Sequence, residues 1–100
     1  MQLSDLLDKL NSYEKKPNIE LIKRAYEYAE KAHEGQKRAT GEPYIQHPLN
    51  VAYILADLKL DDITISAALL HDVVEDTEVT NLDLINAFGN EIASLVDAIT

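Results

Sequence analysis

Cysteine is absent from this chain of 100 residues, so disulfide bonds and thiolate metal ligands are both excluded. Long apolar runs are missing as well, and no segment approaches the roughly 20 residues of a membrane-spanning helix or resembles a signal-peptide core. Internal repeats, low-complexity tracts and interdomain linkers are also lacking. These absences predict one soluble, cytoplasmic domain that makes no use of a membrane.

Basic side chains are scarce in the C-terminal part of the chain. Residues 1 to 40 carry 8 basic and 7 acidic side chains, whereas residues 41 to 100 carry Lys59 alone against 11 acids. Proteins that bind long nucleic acid usually concentrate Lys and Arg to displace counterions from phosphates, so the net charge of -9 argues against that class. The acidic part either stays solvated or attracts cations, which makes a bound metal ion worth seeking.

Helical periodicity runs through almost the whole chain and predicts an all-α fold. Apolar residues at spacings of three and four predict a first helix over residues 3 to 13 that stops before Pro17. Asn18 is the expected N-cap of a second helix, which ends near Gly35. Residues 35 to 46 lack a sustained period and are expected to form an irregular, partly basic loop.

Two longer helices are predicted after this loop. Pro48 suits the first turn of a third helix, which places His47 at the start of that helix. A fourth helix, capped by Asp61 or Asp62, is apolar on most sides as far as Val74. A helix without a polar face must be surrounded, so the fourth helix is expected to be central.

Two shorter helices are predicted near the end of the chain. Thr80 and Asp83 resemble a capping box for a short fifth helix that closes at Gly89. A sixth helix reaches Thr100 without a stop signal. We therefore expect the chain to break off within an element.

Ionisable side chains concentrate at the end of the fourth predicted helix, in residues 71 to 76. On a continuous helix His71 lies one turn before Glu75, and Asp72 one turn before Asp76, so all four would project from one polar wedge. The last two acids oppose the negative end of the helix dipole, at about 0.3 to 1 kcal/mol each when exposed, and a cation would remove this penalty. The alternative is an acidic, solvated helix end.

Histidines elsewhere in the chain extend the case for a metal site. Imidazole nitrogen and carboxylate oxygen are ordinary ligands for Mn, Fe, Co or Zn, and His47, His71 and Asp72 would supply two nitrogens and one oxygen. Three protein ligands leave positions open for water and substrate. Taken alone, a histidine such as His47 more often caps or packs. His33 falls on the mixed-charge side of the second helix, so a solvated structural role is expected for it.

Several motifs, taken in order, carry a family resemblance. Residues 41 to 48 read Gly-Glu-Pro-Tyr-Ile-Gln-His-Pro, and residues 68 to 77 read Ala-Leu-Leu-His-Asp-Val-Val-Glu-Asp-Thr. With Val51-Ala52, Ile54-Leu55-Ala56, Phe88-Gly89 and residues 95 to 100, they resemble the hydrolase domain of RelA/SpoT-type (p)ppGpp enzymes in the HD superfamily. The resemblance extends from about residue 18 to the C-terminus. The adjacent His-Asp pair alone would be a weak signal, and the combined motifs are specific.

This resemblance implies an all-helical HD-domain bundle that binds one Mn²⁺. The implied reaction is hydrolysis of the 3′-pyrophosphate of guanosine tetra- or pentaphosphate, ppGpp or pppGpp, to GDP or GTP and pyrophosphate. By the same resemblance His47, His71 and Asp72 match metal ligands. Glu75 and Asp76 match the acidic pair that positions or activates the attacking water.

Two parts of the family's site are less complete in this sequence. Arg38, Ala39 and Thr40 match the loop that contacts the guanine nucleotide, although Ala39 stands where many relatives carry Lys. The fourth metal ligand implied by the resemblance is an Asp downstream of residues 95 to 100, and Asp97 precedes that position. Residues 1 to 100 are therefore interpreted as a C-terminally truncated hydrolase domain that binds metal weakly and is impaired or inactive alone. A downstream synthetase domain in the parent protein is one candidate partner.

The sequence leaves two other functions open. A non-catalytic helical module that regulates or pairs with another domain would keep the helices without binding a metal ion. An HD nucleotidase acting on another phosphate ester would keep the metal ligands but would be indifferent to a 3′-pyrophosphate. A rise in melting temperature with Mn²⁺ distinguishes the enzymes from the module, and a comparison of substrates distinguishes the two enzymes.

Overall fold

The computed structural model describes residues 1–37 and 39–99, which form seven helices around one apolar core. The helices are α1 (Leu3–Tyr13), α2 (Ile19–Ala32), α3 (Gln46–Asp57), α4 (Asp62–Leu70), α5 (Val73–Asp76), α6 (Asn81–Phe88) and α7 (Asn90–Ile99). The described residues contain no strand beyond an isolated antiparallel bridge between Lys37 and Pro43. The predicted all-α fold is confirmed. The predicted continuation of the last helix to Thr100 falls outside the described residues.

Helix α4 is the central element of this core. Its residues from Ile65 to Leu70 are all buried, and the helix packs against α2, α3 and α7. A helix that is apolar on most sides is stable only when neighbours cover those sides, which explains the central position. The prediction of a central fourth helix is confirmed. Around it the core is built mainly from Leu6, Leu10, Ile22, Ala25, Ala29, Leu49, Ala52, Ala56, Leu84, Ile92 and Val96.

The prediction of one continuous helix through Val74 is wrong. Helix α4 ends at Leu70, and two non-helical residues, His71 and Asp72, separate it from α5. The ring nitrogen Nδ1 of His71 lies 2.6 Å from the carbonyl oxygen of Ala68, which a continuous helix would bond to the N–H of residue 72. Asp72 has φ -96° and ψ -1°, away from regular helical values. The Ala68 carbonyl thus accepts from the His71 ring and, at 3.4 Å, from the His71 N–H, instead of continuing the helical hydrogen-bond pattern.

The helix starts that the sequence predicts are confirmed. The Oδ1 atom of Asn18 accepts a hydrogen bond from the N–H of Leu21 at 3.1 Å, which caps α2. Thr80 and Asp83 form a reciprocal capping box at α6, with hydrogen bonds of 3.1 and 2.9 Å. Gly89 then ends α6 with φ +91°, a conformation that favours glycine. Local side-chain chemistry therefore sets these boundaries.

Polar contacts between distant residues fix how the helices meet. The backbone N–H of Asn18 donates to Oδ2 of Asp62 at 2.8 Å, which joins the start of α2 to the start of α4. The guanidinium of Arg24 donates to the carbonyl of Ala87 at 2.7 Å and lies over the ring of Phe88. This contact satisfies a carbonyl at the end of α6. No helix in residues 1–37 and 39–99 combines the length and the apolar character that a membrane crossing requires.

Asp61 is the N-cap of α4 and makes a testable contribution to stability. Its Oδ1 atom accepts a hydrogen bond from the N–H of Thr64 at 3.0 Å. Hydrogen bonding from the Thr64 side chain, followed by this backbone bond, holds the pKa of Asp61 below its usual value. We expect Asp61→Ala to lower the free energy of unfolding by about 1 kcal/mol in urea denaturation at pH 7. An unchanged midpoint would contradict this role.

The contribution of Asp61 should also depend on pH. Because its pKa is lowered in the folded state, the stabilisation is complete above the unfolded pKa of about 3.9 and is lost as pH falls through the folded value. Asp61→Asn is the matched control, since asparagine keeps a capping oxygen that does not titrate. We expect this variant to match the parent at pH 7 and to lose less stability than the parent on acidification.

Candidate metal centre and active site

Three side chains converge where the start of α3 meets the junction between α4 and α5. Nε2 of His47 lies 3.4 Å from Oδ2 of Asp72, and Nε2 of His71 lies 3.1 Å from the same oxygen. One potential ligand atom from each residue lies within 4.8 Å of the other two, and all three residues are half-buried. The structure thus brings together the three residues predicted as metal ligands, and their role as ligands stays a prediction. We call these residues the metal cluster.

The local fold explains the position of His47. The N–H of His47 donates to the carbonyl of Tyr44 at 3.0 Å, in a tight turn that leads into α3. Pro48 follows in the first turn of α3, where its missing N–H has no intrahelical partner to lose. Pro48 and Leu49 are buried, and they anchor this end of α3 in the core. The imidazole of His47 is therefore held at the base of the helix rather than along its exposed face.

The hydrogen bonding of His71 shows which ring nitrogen faces the cluster. The carbonyl oxygen of Ala68 can only accept, so Nδ1 of His71, 2.6 Å away, carries a hydrogen. In the neutral ring Nε2 then holds a lone pair, which faces the carboxylate of Asp72 at 3.1 Å. Two electron-rich atoms this close repel each other unless a proton or a cation lies between them. The geometry of the metal cluster therefore favours a proton or a metal cation between Nε2 of His71 and the carboxylate of Asp72.

The same donor set fits a divalent metal ion. Imidazoles that bind metals through one ring nitrogen commonly donate a hydrogen bond from the other ring N–H to a backbone carbonyl, as His71 does to Ala68. Two imidazole nitrogens and one carboxylate oxygen are ordinary ligands for first-row transition metals. The rings of His47 and His71 meet at 62° with their centroids 5.5 Å apart, so neither ring stacks over the other. The residue types in the sequence and their positions in the structure therefore both fit the binding of a divalent metal ion.

Tyr44 links Asp72 of the cluster to Asp76 of α5. Its hydroxyl oxygen lies 2.6 Å from Oδ2 of Asp76 and 3.2 Å from Oδ2 of Asp72. The hydrogen bond to Asp76 is the main reason that the pKa of Tyr44 is raised, with burial and the two negative charges adding to it. The phenol therefore stays protonated and acts as a donor. Its single hydrogen serves the nearer carboxylate, Asp76.

The two residues of the predicted acidic pair, Glu75 and Asp76, have different surroundings in the structure. Asp76 lies beside the cluster through Tyr44, and its carbonyl oxygen accepts a hydrogen bond from Nε2 of Gln36 at 2.7 Å. Glu75 is exposed, and its carboxylate makes none of the hydrogen bonds or ion pairs found among residues 1–37 and 39–99. The regular polar wedge expected for His71, Asp72, Glu75 and Asp76 is not found, because α4 ends at Leu70.

His33 was expected to be solvated, and this prediction is wrong. The residue is only 2% exposed, and its ring stacks on Tyr44 with centroids 4.5 Å apart. Burial results from the path of the following loop, which turns back over the end of α2 and is closed by a hydrogen bond from Tyr44 N–H to the Gln36 carbonyl. Sequence periodicity describes α2 but contains no information about this loop. His33 lies outside the metal cluster.

Tyr44 and Gln36 therefore contact the candidate site, although the sequence analysis gave neither of them a role. Tyr44 stands three residues before His47 within the motif of residues 41 to 48, and that spacing is the one signal that could have identified it. Gln36 lies alone in a polar loop and gives no comparable signal. Their contacts with the candidate site can be recognised only from the structure, in which the loop between α2 and α3 lies beside α5.

The predicted nucleotide-binding loop lies between α2 and α3. Ala39 and Thr40 are exposed there, and the bridge between Lys37 and Pro43 draws the two sides of the loop together. Gly41 in the same loop has φ +90°, which favours glycine. Arg38, the basic residue predicted to contact a nucleotide, lies outside the described residues. Contact of Ala39 and Thr40 with a nucleotide stays a prediction.

An open groove of about 570 Å³ borders Asp76 on the side that faces Glu78 and Asp83. Gln36 and Val79 also line it. An anionic phosphate entering this groove would meet three carboxylates, so their charge must be offset by a cation or by basic side chains. The groove therefore agrees with a phosphate-binding role only when a positive charge is supplied beside Asp76.

Comparison with known proteins agrees with the motifs and the fold. The family model described as HD domain matches residues 25–100. A guanosine-3′,5′-bis(diphosphate) 3′-pyrophosphohydrolase from Vibrio cholerae is 50% identical over 100% of this chain, and a protein of the same name from Aquifex aeolicus is 50% identical over 100% of it. A GTP pyrophosphokinase from Myxococcus xanthus is 50% identical over 91% of the chain.

These relatives are much longer than the chain itself. The chain spans 12% of the Myxococcus xanthus protein and 14% of each of the other two. The resemblance to RelA/SpoT-type enzymes indicated by the motifs is confirmed by these matches. With the match to residues 25–100 and the all-helical fold, they show that the chain belongs to the HD domain family.

Proposed function

We propose that residues 1 to 100 form part of a divalent-metal-dependent hydrolase domain that removes the 3′-pyrophosphate of ppGpp or pppGpp. The observation that carries this proposal is the convergence of His47, His71 and Asp72, with Nε2 of His71 aimed at the carboxylate. Relatives named for this hydrolysis share 50% of their aligned residues with the chain. Mn²⁺ is the proposed ion because the resemblance to RelA/SpoT-type hydrolase domains implies it, and two imidazoles with one carboxylate are also ordinary ligands for other divalent metals.

The names of the relatives do not by themselves distinguish hydrolysis from synthesis. Some relatives are named as GTP pyrophosphokinases and others as pyrophosphohydrolases, at similar identity to the chain. The cluster favours hydrolysis, because three protein ligands leave coordination positions open to water and substrate. The pyrophosphokinase name instead supports a separate synthetase domain in the parent protein, which we include as a proposed partner.

In the proposed reaction water adds to the phosphorus next to the 3′ oxygen. The bond between that phosphorus and the 3′ oxygen breaks, the oxygen takes up a proton, and GDP or GTP leaves with pyrophosphate. The bound ion would supply positive charge that offsets the phosphates and makes a water more acidic. Asp76, held beside the cluster by Tyr44, would orient the attacking water or accept its proton. Glu75 is the second proposed acid of the pair.

The loop between α2 and α3 is the proposed nucleotide-binding segment. Arg38, Ala39 and Thr40 would contact the guanine nucleotide, and the exposed Lys37 adds positive charge next to them. Ala39 cannot supply the charge that many relatives place there, so base-side contacts should be weaker in this protein. A cytoplasmic location is also proposed.

The proposal is tested by comparing two substrates in the full-length protein that carries this sequence. With Mn²⁺ we expect release of pyrophosphate from ppGpp, and a rate on a guanosine 3′-monophosphate lower by a factor on the order of 10². Chelation of the metal should abolish both activities. Comparable rates on the two substrates would indicate a nucleotidase of the same family. Absence of Mn²⁺ binding would instead indicate a non-catalytic module.

A further inference from the structure

Asp76 is held at both its backbone and its side chain by the segment that connects α2 to α3. Nε2 of Gln36 donates to the carbonyl oxygen of Asp76 at 2.7 Å, and the hydroxyl of Tyr44 donates to its carboxylate at 2.6 Å. Asp76 is the last residue of α5, a helix of only four residues. So short a helix fixes its final side chain poorly by itself. The two contacts from the loop therefore decide where this carboxylate lies.

His33 contacts both Gln36 and Tyr44, the two residues that hold Asp76. Because the amide nitrogen of Gln36 donates to Asp76, its Oε1 atom faces Nδ1 of His33 at 3.2 Å and must accept a hydrogen from it. The His33 ring also stacks on the Tyr44 ring at an angle of 23°. At 2% exposure, His33 has little freedom to change rotamer. The buried ring of His33 thus holds both Gln36 and Tyr44 in position against Asp76.

Tyr44 also reaches the metal cluster. Its hydroxyl oxygen lies 3.2 Å from Oδ2 of Asp72, the oxygen that faces both imidazoles. The hydroxyl therefore stands between two carboxylates, Asp72 and Asp76, and screens each from the other. Without that hydroxyl the two negative groups would face each other directly, and the exposed Asp76 side chain would turn towards solvent.

We propose that Tyr44 and Gln36 are positioning residues for the reaction, holding the Asp76 carboxylate beside Asp72, with His33 as their common support. This inference rests on the proposed function and assigns no contact with substrate to either residue. It predicts different effects for the two residues, since Tyr44 touches a metal ligand and Gln36 does not. Loss of Tyr44 should affect both metal binding and turnover, whereas loss of Gln36 should affect turnover alone.

Tyr44→Phe is the decisive variant, because it keeps the ring that stacks on His33 and removes only the hydroxyl. In the full-length protein we expect kcat for ppGpp to fall about 10- to 100-fold, and the Kd for Mn²⁺, measured by electron paramagnetic resonance, to rise about tenfold. KM should stay within about threefold of the parent, since substrate contacts are unchanged. Gln36→Leu should lower kcat similarly and leave the Kd for Mn²⁺ unchanged.

Tyr13→Phe is the matched control for the hydroxyl. Its hydroxyl donates to the carbonyl of Leu60 at 2.7 Å, outside the metal cluster, so its removal should leave kcat and the Kd for Mn²⁺ at parent values. Circular dichroism verifies that each variant is folded. Parent values of both kcat and Kd in Tyr44→Phe would overturn the role of Tyr44, and a parent kcat in Gln36→Leu would overturn that of Gln36.

The Mn²⁺ measurement separates this inference from the proposed function. A full-length protein that hydrolyses no ppGpp would contradict the proposed function, and the role of Gln36 would fail with it. The Kd for Mn²⁺ needs no turnover and would still decide whether Tyr44 positions Asp72. Weaker Mn²⁺ binding in Tyr44→Phe but not in Tyr13→Phe would support that role.

Discussion

Asp72→Asn is expected to lower Mn²⁺-dependent release of pyrophosphate from ppGpp about a thousandfold. Oδ2 of Asp72 is the atom that both imidazoles of the metal cluster approach, at 3.4 and 3.1 Å. Asparagine has nearly the same shape, so the packing around residue 72 survives while the negative charge is lost. Charge stabilisation by a metal ion is worth several kcal/mol, and about 4 kcal/mol corresponds to this factor.

Two measurements check this expectation independently. Initial rates of pyrophosphate release in the full-length protein give the loss of activity directly. Thermal melting with and without Mn²⁺ gives the loss of binding, because a ligand that prefers the folded state raises the melting temperature. We expect the parent to respond to Mn²⁺ and Asp72→Asn to show little response. Asp8→Asn makes the same chemical change on an exposed acid of α1 and should behave as the parent. An undiminished Mn²⁺ response in Asp72→Asn would remove Asp72 from the ligand set.

Leu69→Ala is expected to cause the largest loss of stability among the changes considered. Leu69 is fully buried in α4, the helix on which α2, α3 and α7 pack. Truncation of a buried leucine to alanine costs about 2 to 5 kcal/mol, since the lost contacts leave a cavity. For a domain of this size that corresponds to roughly 4 to 8 °C in melting temperature per kcal/mol. The effect is large against a typical total stability of about 5 to 15 kcal/mol.

Urea denaturation measures this loss, and Leu82→Ala is the matched control. Leu82 lies on α6 with 64% of its surface exposed, so the same truncation there should change stability by less than about 0.5 kcal/mol. Because His71 and Asp72 follow α4 directly, Leu69→Ala should also weaken Mn²⁺ binding without touching a ligand. Equal losses at Leu69 and Leu82 would contradict the central position of α4.

Features that depend on neighbouring residues could be predicted from the sequence. The caps at Asn18 and Thr80 arise from side chains that bond to backbone N–H groups three residues away, so short-range rules identify them. The central position of α4 followed from a composition that is apolar on most sides. In each case the cause and its effect lie within one turn or one element.

Features that depend on contacts between elements could not be predicted in this way. The apolar pattern continues through Val73 and Val74, and nothing in it reveals that the His71 ring takes the Ala68 carbonyl. His33 is buried by a loop whose path periodicity does not specify. Glu75 and Asp76 look equivalent in the sequence and differ because Tyr44, from another segment, reaches only Asp76. Ligand chemistry and the family resemblance could group His47 with His71 and Asp72, but only the packing of α3 against α4 shows that the three side chains lie together.

The interruption between α4 and α5 has a consequence for how such a domain can change during evolution. If α4 continued as one straight helix through Glu75 and Asp76, a mutation that moved these acids would also strain the buried residues of α4. Because His71 and Asp72 interrupt the regular helix, α5 is a short helix of its own, tied to the core through the buried Val73. Substitutions at the exposed Glu75 or Asp76 can then change the acidic turn without altering the buried residues of α4.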